Sequence, residues 1–387
     1  MPGLVTADAG APSSQSGGAG AERLARTRAL LDRLGLEALL VSRGALKRWL
    51  SGFVLLRGED PSHGFAGTLL ITRDEQLILA DSRYREQAAA EAPGWTLIVS
   101  THRLDEELPE LFAPRAIARC GVEAAILSHA TWDRIAAAAP STELVPVDDD
   151  LQELRIVKDA AEQATLARAC AMTDASFEEL LPHIRPGVSE LKLAWQLEDL
   201  IRHRGAEAVA FDSIVLFGAR AAMPHGRPSD ARLETGQAVL LDFGVQVDGY
   251  RSDMTRTVFC GEPDSESRGL YQLVADAQRV GEQAVHPGVA GTEVHAAAAA
   301  HIAAAGVPPF EHGLGHGIGL ETHEPPSLRR VAEPGRLGRT IEIGMAFTIE
   351  PGIYLPGWGG IRIEDMGYMK DGRYVNFTKA PKLQFVG

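Results

Sequence analysis

Residues 239–258, VLLDFGVQVDGYRSDMTRTV, decide the fold of the second half of the chain, because they read as a β-hairpin that carries two aspartates. Two apolar, β-prone runs, 239–245 and 252–258, flank the pair Asp248-Gly249. An Asp-Gly pair between two such runs is a strong signal for a two-residue hairpin turn. The stretch therefore predicts two antiparallel strands joined at this pair.

The turn also predicts which residues of the hairpin lie opposite each other. With a two-residue loop, Val247 faces Tyr250, and the same register places Asp253 opposite Gly244. Because side chains alternate along a strand, Asp242 and Asp253 then lie on one face as diagonal neighbours. Two carboxylates on a buried face repel each other unless a cation holds them, which is a first indication of a metal site. On the hairpin alone, two solvated aspartates at strand ends remain the alternative, and a three-residue loop would break the register.

Composition limits the class of protein. The chain has 387 residues, 45% of them hydrophobic, so two domains with sizeable cores are expected. A formal net charge of −14 argues against nucleic acid as the main partner, since a phosphate-binding surface needs clustered Lys and Arg. The sequence contains no run of about 18 apolar residues, so no membrane span is expected. Cys120, Cys170 and Cys260 form no CxxC pair, which indicates free thiols and a cytoplasmic location.

The order of patterns predicts a tail and two domains, with an overall α/β (α+β) class. Residues 1–20 are rich in Gly, Ala and Ser and are predicted to be a disordered tail. Residues 21–150 alternate between helix and strand patterns and predict an N-terminal α/β domain without a catalytic constellation. Residues 148–150 read as an acidic connector to a second domain, 151–387, which begins with long helical patterns and ends in a strand-rich third.

A glycine-rich segment contributes histidines to the second domain. Residues 311–323, EHGLGHGIGLETH, place His316 between two glycines, with His312 and His323 nearby. Glycines on both sides allow the backbone to bend closely around whatever the imidazole binds. A lone histidine is more often packed or exposed than a ligand, but three within thirteen residues favour a site.

Two glutamates lie within apolar, β-prone segments. Residues 347–354, FTIEPGIY, place Glu350 inside one predicted strand, and residues 360–366, GIRIEDM, place Glu364 inside another. In the second strand Arg362 shares a face with Glu364. A carboxylate in mid-strand is costly to bury alone. The two glutamates, two aspartates and one histidine are therefore either all exposed to solvent or gathered around cations.

The ordered set of motifs resembles that of the pita-bread metallopeptidases (family M24), which include methionine aminopeptidase, aminopeptidase P and prolidase. The resemblance covers about residues 159–382, and the preceding domain is similar to the creatinase-type N-terminal domain of the prolidase and aminopeptidase P branch. It implies a creatinase-type N-terminal α/β domain followed by a pita-bread catalytic domain. The motifs that carry it are LDFG with Asp242, SDMTRT with Asp253, GHGIG with His316, TIEPG with Glu350 and RIED with Glu364.

Two further motifs indicate which branch of the family the chain resembles. The PHG sequence at 224–226 resembles the element that places a histidine, here His225, near the substrate, and His323 matches the second active-site histidine of the branch. Methionine aminopeptidases generally lack the N-terminal domain, and creatinase works without metal and does not keep all five ligands. The resemblance implies an Xaa-Pro dipeptidase (prolidase). The alternatives are an aminopeptidase P acting on longer peptides and a non-catalytic metal-binding protein of the same fold.

The resemblance also implies two divalent metal ions per subunit. Four carboxylates and one neutral imidazole balance the charge of two such ions, and this oxygen-rich set favours Mn²⁺, with Co²⁺, Fe²⁺ or Zn²⁺ as alternatives. By the resemblance, Asp253 and His316 help to hold one ion and Asp242 holds the other. Glu350 and Glu364 contact or bridge both ions.

The implied reaction is hydrolysis of Xaa-Pro bonds by a hydroxide that the two ions generate from a shared water. By analogy Glu350 moves a proton from the nucleophile to the leaving nitrogen, while His225 or His323 donates hydrogen bonds to the developing oxyanion. A dipeptidase also has to bind a free carboxylate, most simply with an arginine, and the candidates are Arg336 and Arg362. Three other arginines compete for this role: Arg329, Arg330 and Arg339.

Two residues close to Asp253 are expected to support the site. Thr255 and Arg256 either orient the ligands or have a purely structural role. The resemblance further implies a homodimer that acts on proline-containing di- or oligopeptides.

Overall fold

A computed structural model describes residues 17–55, 66–100, 102–331, 340–382 and 385–386. The chain divides into two compact units, Met1–Arg155 and Ile156–Gly387. None of the helices in the described ranges has the length and apolar composition needed to span a membrane. The three cysteines are buried and free, as the sequence indicated.

The first unit is a mixed sheet with helices. Its elements are α1 (Gly17–Leu34), β1 (Ala38–Val41), α2 (Gly44–Ser51), β2 (Thr68–Thr72), β3 (Gln76–Ala80), α3 (Arg85–Glu91), β4 (Thr96–Val99), α4 (Leu104–Phe112), β5 (Arg119–Val122), α5 (His129–Ala138), β6 (Glu143–Pro146) and α6 (Asp148–Glu153). The sheet has the order β4-β3-β2-β1-β5-β6, in which β2 is antiparallel to β1 and β3 and the other neighbours are parallel.

Both ends of this unit differ from the expectation. The predicted tail, 1–20, overlaps α1 in its last four residues, and residues 1–16 lie outside the described ranges. The predicted acidic connector is the first turn of α6, where acidic side chains interact favourably with the helix dipole. Asp148 in addition accepts hydrogen bonds from the backbone N–H groups of Ala124 and Ala125, at 2.9 and 3.0 Å.

The second unit combines four helices with several small sheets in its described part. The elements are α7 (Ala160–Leu180), α8 (Glu190–His203), β7 (Ala208–Val209), β8 (Ile214–Phe217), β9 (Ala238–Phe243), β10 (Val245–Val247), β11 (Tyr250–Arg251), β12 (Met254–Cys260), α9 (Ser265–Ala284), α10 (Gly291–Ala304), β13 (Gly315–Gly317), β14 (Glu324–Leu328), β15 (Ala346–Ile349), β16 (Gly352–Leu355), β17 (Gly359–Arg362), β18 (Asp365–Lys370), β19 (Arg373–Asn376) and β20 (Phe385–Val386). The largest sheets of the described residues have the orders β14-β13-β15-β18-β19 and β20-β12-β9-β8.

The predicted hairpin turn is confirmed. Asp248 and Gly249 have φ angles of 48° and 80°, so both central residues are in the left-handed region that a type I′ turn requires. Val247 pairs with Tyr250 across the turn, as a two-residue loop predicts. The turn therefore sets the register of the strands that follow.

The same register extends to the aspartates. Asp242 pairs with Thr255 where β9 meets β12, and the count leaves Asp253 opposite Gly244. A Cβ atom on Gly244 would lie 1.9 Å from the carbonyl oxygen of Ser252, so only glycine fits at this position. This register places Asp242 and Asp253 on the same face of the hairpin, as predicted.

Glu350 and Glu364 lie at breaks between strands, and the prediction that they occupy mid-strand positions is wrong. β15 pairs with β18 on one side of the break and β16 pairs with β17 on the other, in one continuous register that puts Glu350 opposite Glu364. The antiparallel pair passes from one sheet to another at this point. The side chains at the break are consequently free from the alternation of a regular strand.

The glycines beside His316 serve strand packing. A Cβ atom on Gly315 would lie 1.9 Å from the carbonyl oxygen of Thr348, and one on Gly317 would lie 2.2 Å from that of Pro325. The sequence suggested that these glycines let the backbone bend around a ligand. In the structure they allow β13 to approach its neighbouring strands closely.

We expect Gly315→Ala to lower the free energy of unfolding by about 3 kcal/mol, because the new methyl group overlaps a strand backbone that cannot move away. The matched control is Gly269→Ala in α9, where a Cβ atom meets no atom within 4 Å. There alanine should raise the free energy of unfolding by about 0.5–1 kcal/mol, because it favours the helix. Urea unfolding measures both variants, and a small loss at Gly315 would contradict the close approach.

Candidate active site

One cavity of about 480 Å³ in the second unit collects nearly all of the predicted residues. Arg336, predicted to bind a substrate carboxylate, lies outside the described residues. The predicted residues that line the cavity are His225, Asp242, Asp253, His316, His323, Glu350, Arg362 and Glu364. They come from distant parts of the second half of the chain, brought together by the hairpin, by β13 and by the breaks between β15 and β16 and between β17 and β18.

Three of the predicted ligands form a compact donor group. One ligand atom each of Asp253, His316 and Glu364 lies within 4.8 Å of the other two. His316 Nε2 is 3.6 Å from Asp253 Oδ2 and 3.6 Å from Glu350 Oε1. These separations exceed those of a hydrogen bond but suit atoms that share one cation.

The His316 imidazole is neutral and offers a lone pair. Burial lowers the pKa of His316 to about 3. Its Nδ1 lies 3.1 Å from the carbonyl oxygen of Gly317, and since a carbonyl can only accept, Nδ1 carries the hydrogen. Nε2 is then unprotonated and directed at the carboxylates, as in a metal-binding histidine.

The clustered carboxylates carry a large electrostatic cost. Burial raises the pKa values of Asp253 and Glu350 well above their ordinary range, and the charge of Glu364 raises both further. Burial, together with the charge of Asp242, raises the pKa of Glu364 to about 7. A bound cation would remove the reason for these shifts, because it stabilises the ionised forms.

Buried oxygen atoms test whether the residues fit such cations. Asp242 Oδ1, Asp253 Oδ1 and Glu364 Oε1 are buried and make no hydrogen bond within the described ranges. Unpaired buried carboxylate oxygens are costly, and hard divalent cations take such oxygens as ligands. The donor set therefore fits divalent metal ions.

Arg362 belongs to a chain of hydrogen bonds behind the donors. Its Nη2 donates to Asp242 Oδ2 at 2.6 Å, and its Nη1 donates to the Tyr354 hydroxyl at 2.9 Å. The hydroxyl lies 3.0 Å from His312 Nε2, while His312 Nδ1 lies 2.7 Å from the Gly313 carbonyl oxygen. Nδ1 is therefore the donor to the carbonyl, and Tyr354 donates its own hydrogen to Nε2. Arg362, only 3% exposed, holds a predicted ligand in place.

Thr255 and Arg256 both hold Glu364. The Thr255 hydroxyl donates to Glu364 Oε2 at 2.7 Å, and Arg256 Nη1 donates to the Glu364 carbonyl oxygen at 2.6 Å. Arg256 also forms a buried ion pair with Asp365 at 2.7 Å. The two expected roles are thus divided: Thr255 orients the carboxylate and Arg256 fixes the backbone.

The profile of metallopeptidase family M24 matches residues 164–371, which is more than half of the chain. The chain belongs to metallopeptidase family M24. A second profile, the creatinase/prolidase N-terminal domain, matches residues 23–157. The predicted family, the predicted pairing of a creatinase-type domain with a pita-bread catalytic domain, and the prediction of a metallopeptidase are confirmed.

One curated relative and two solved structures are similar to this chain over more than nine-tenths of its length. The uncharacterized peptidase YqhT of Bacillus subtilis (strain 168) is 36% identical over 361 residues, 93% of this chain and 98% of that protein. The structure of an Xaa-Pro dipeptidase from Bacillus anthracis has a TM-score of 0.87 at 35% identity and covers 95% of this chain and 100% of its own. The structure of X-Pro aminopeptidase from Thermotoga maritima MSB8 has a TM-score of 0.82 at 32% identity. It covers 92% of this chain and 99% of its own.

The lining of the cavity also includes the two predicted histidines, His225 and His323, and several residues that the sequence did not single out. The side chains of His225 and His323 are exposed, and the His323 ring centroid is 4.2 Å from that of His316. Tyr354, which the sequence did not single out, contacts Arg362 behind the donors and is not part of the cavity lining. The remaining lining residues, which no spacing in the sequence indicated, include Phe211, Asp212, Ile214 and Thr322.

We expect Tyr354→Phe to lower the free energy of unfolding by about 1–3 kcal/mol, because Arg362 and His312 each lose a partner in a buried position. The matched control is Tyr368→Phe, whose ring stacks on Phe377 with centroids 4.5 Å apart. That variant should change stability by less than about 0.5 kcal/mol. Guanidinium unfolding of both variants measures the difference, and equal small losses would show that the chain of hydrogen bonds contributes nothing.

Proposed function

We propose that this M24 metallopeptidase hydrolyses Xaa-Pro peptide bonds with two divalent metal ions, and that dipeptides are its main substrates. The observation that carries the proposal is the donor group with unpaired buried carboxylate oxygens in a cavity that also holds His225 and His323. A cavity of this volume accommodates a small peptide.

Five side chains are proposed to hold the ions. Asp253, His316 and Glu364, the compact donor group, would hold one ion, Asp242 would contribute to the other, and Glu350 and Glu364 would supply further carboxylate oxygens to the pair. When bound, the ions supply Lewis acidity and lower the pKa of a shared water toward neutrality.

The chain's own residues move the protons. Glu350 accepts the proton from the attacking water and delivers it to the prolyl nitrogen as the carbon–nitrogen bond breaks. His225 and His323 donate N–H hydrogen bonds to the carbonyl oxygen while negative charge develops on it. Arg362 and Thr255 keep Asp242 and Glu364 in place during these steps.

Proline at the leaving side is compatible with this arrangement. A prolyl nitrogen carries no hydrogen, so a site that relied on that N–H group would fail, whereas a site that polarises the carbonyl does not need it. Two solved relatives are named for Xaa-Pro substrates, one a dipeptidase and one an aminopeptidase. The preference for proline is transferred from these relatives.

The preference for dipeptides depends on a cation that binds the free carboxylate. Arg362 is buried and committed to Asp242 and Tyr354, which makes it a poor candidate for this task. Arg329 is exposed and lines the cavity, with its stem against Gly313. Arg329 is therefore a proposed carboxylate anchor, and Arg336 stays a proposed anchor on the resemblance alone. An aminopeptidase P activity on longer peptides is the second candidate.

A release assay on metal-depleted protein resupplied with Mn²⁺, Co²⁺ or Zn²⁺ tests the proposal. It compares Ala-Pro and Met-Pro with a tetrapeptide that has proline in second position. Cleavage of the dipeptides alone supports a dipeptidase. Cleavage of the tetrapeptide favours the aminopeptidase. Failure on both substrates, with two ions bound, favours the non-catalytic alternative.

Three finer expectations accompany this proposal. Mn²⁺ is the proposed metal, the proposed assembly is a homodimer, and the proposed location is the cytoplasm. Sedimentation velocity at micromolar concentration tests the assembly, and a monomer alone would contradict it. Comparison of the turnover rate with each metal tests the choice of Mn²⁺.

A further inference from the structure

His323 lies on a loop whose position is set by polar contacts. The loop joins β13 to β14, and the His323 side chain is exposed, so core packing does not fix it. The buried apolar residues of this loop, Ile318 and Leu320, are 0% and 8% exposed, and the nearer of them lies three residues before the histidine. Besides the ring contact with His316, the contacts made by the two sequence neighbours of His323 therefore help to fix the position of its ring.

Arg251 holds the residue before His323. Its Nη1 donates a hydrogen bond to the Thr322 hydroxyl at 2.8 Å, and its backbone N–H donates to the Gly319 carbonyl oxygen at 2.8 Å. Arg251 ends β11 and stands two residues before Asp253. It thus connects the loop of His323 directly to the hairpin that carries a proposed metal ligand.

Lys158 holds the residue after His323. Its Nζ forms an ion pair with Glu324 Oε1, and the two side chains are 1% and 3% exposed. A Cβ atom on Gly319 would lie 2.7 Å from the same carboxylate oxygen, so the loop folds closely over this pair. His323 is therefore placed between two anchored neighbours, one of them buried and the other at the cavity wall.

We propose that Arg251 is a positioning residue that acts through Thr322 to set the distance of His323 from the metal ligands. The inference rests on the proposed role of His323 in the hydrolysis. The contact is suited to this task because it ties a loop residue at the cavity wall to the strand that leads into Asp253. Losing it leaves the Lys158–Glu324 pair and the fold in place while the ring of His323 gains freedom.

The test uses two substitutions that remove the contact from either side. Thr322→Val replaces the accepting hydroxyl by a methyl group of the same size, and Arg251→Leu removes the donor. We expect each to lower kcat for Ala-Pro about 10-fold, as for other residues that orient a reacting group, with KM changed less than about 2-fold. Thr322→Ser, which keeps the hydroxyl, should restore most of the rate.

A matched control separates this effect from the loss of any Arg–Thr contact. Arg168 Nη2 lies 3.3 Å from the Thr165 hydroxyl on the exposed face of α7, outside the cavity. Thr165→Val should leave kcat and KM unchanged. All variants should keep the metal content and melting temperature of the parent protein within error.

The decisive comparison repeats Thr322→Val and Arg251→Leu in a protein that already carries His323→Ala. If Arg251 acts through His323, neither substitution lowers the rate of that variant further. A further 10-fold loss there, or no loss in the parent protein, overturns the inference.

Nuclear magnetic resonance of the histidine rings gives a readout that does not depend on the proposed reaction. The His323 signal, assigned by its disappearance in His323→Ala, should broaden or split in Thr322→Val and stay sharp in Thr165→Val. An unchanged signal overturns the inference even if the parent protein hydrolyses no Xaa-Pro peptide. If the signal changes but the parent protein hydrolyses no Xaa-Pro peptide, the result contradicts the proposed function and not the positioning role of Arg251.

Discussion

Replacement of Glu350 by glutamine is expected to lower kcat/KM for Ala-Pro at least about 1000-fold, within the range that loss of general acid–base catalysis produces. Glutamine is nearly the same size as glutamate but cannot accept a proton from water and return it to the prolyl nitrogen. The fold should survive, because burial and the charge of Glu364 raise the pKa of Glu350 well above its ordinary value. The neutral amide therefore removes an electrostatic cost from the metal-free protein.

The control for this substitution is Glu342→Gln, eight residues earlier in the chain at an exposed position. That variant should keep the parent kcat/KM within about 2-fold, as expected for a surface change away from the site. Steady-state kinetics with saturating metal compare the two. Substantial hydrolysis by the Glu350→Gln variant would sink the role assigned to this carboxylate.

Replacement of Glu364 by glutamine is expected to have opposite effects on stability with and without metal. The folded metal-free protein raises the pKa of Glu364 to about 7 from an ordinary value of 4.5. The folded state thus binds this proton more tightly than the unfolded state, and the stability that Glu364 contributes is present below about pH 4.5 and is lost as the pH rises toward 7. Without metal, Glu364→Gln should stabilise the protein more at pH 7.5 than at pH 5.

With metal the sign reverses, because the ionised carboxylate is then a ligand. Ions at 100 times their dissociation constant stabilise the folded parent protein by about 2.7 kcal/mol per site, and the variant loses part of this gain. Urea unfolding of both proteins at pH 5 and pH 7.5, in chelator and in Mn²⁺, measures the difference. A variant that is less stable than the parent at pH 7.5 in chelator would contradict the raised pKa.

Local signals were sufficient to predict the hairpin and the residues that it aligns. The Asp248-Gly249 pair has the backbone angles that only a few residue types adopt readily, so the turn and the register of Asp242 follow from the sequence. Each of the five candidate ligands could be identified from its own motif. All five line one cavity, as the resemblance implied. Their roles in holding metal remain a proposal.

Features created by distant contacts were not predictable in this way. One example is the start of α2, where the N–H groups of Ser42 and Arg43 donate hydrogen bonds to Glu123, about eighty residues later in the chain. The break that places Glu350 opposite Glu364 depends on strands that change sheets, which no alternation pattern records.

The commitment of Arg362 to Asp242 also depends on tertiary structure. Sharing a face with Glu364 predicted that the arginine would reach the cavity, but not which carboxylate it would bind. Close packing explains the glycines around His316 for the same reason, since the strand that Gly315 touches is more than thirty residues later in the chain.

Titration of metal-depleted protein with Mn²⁺ tests whether the protein is a peptidase that works with two metal ions. Bound metal per chain is counted while Ala-Pro hydrolysis is followed in the same samples. We expect binding to saturate at two ions per chain and hydrolysis to appear as the site fills. Saturation with two ions and no hydrolysis of any Xaa-Pro peptide, or full hydrolysis by protein that holds no ion, would contradict this expectation.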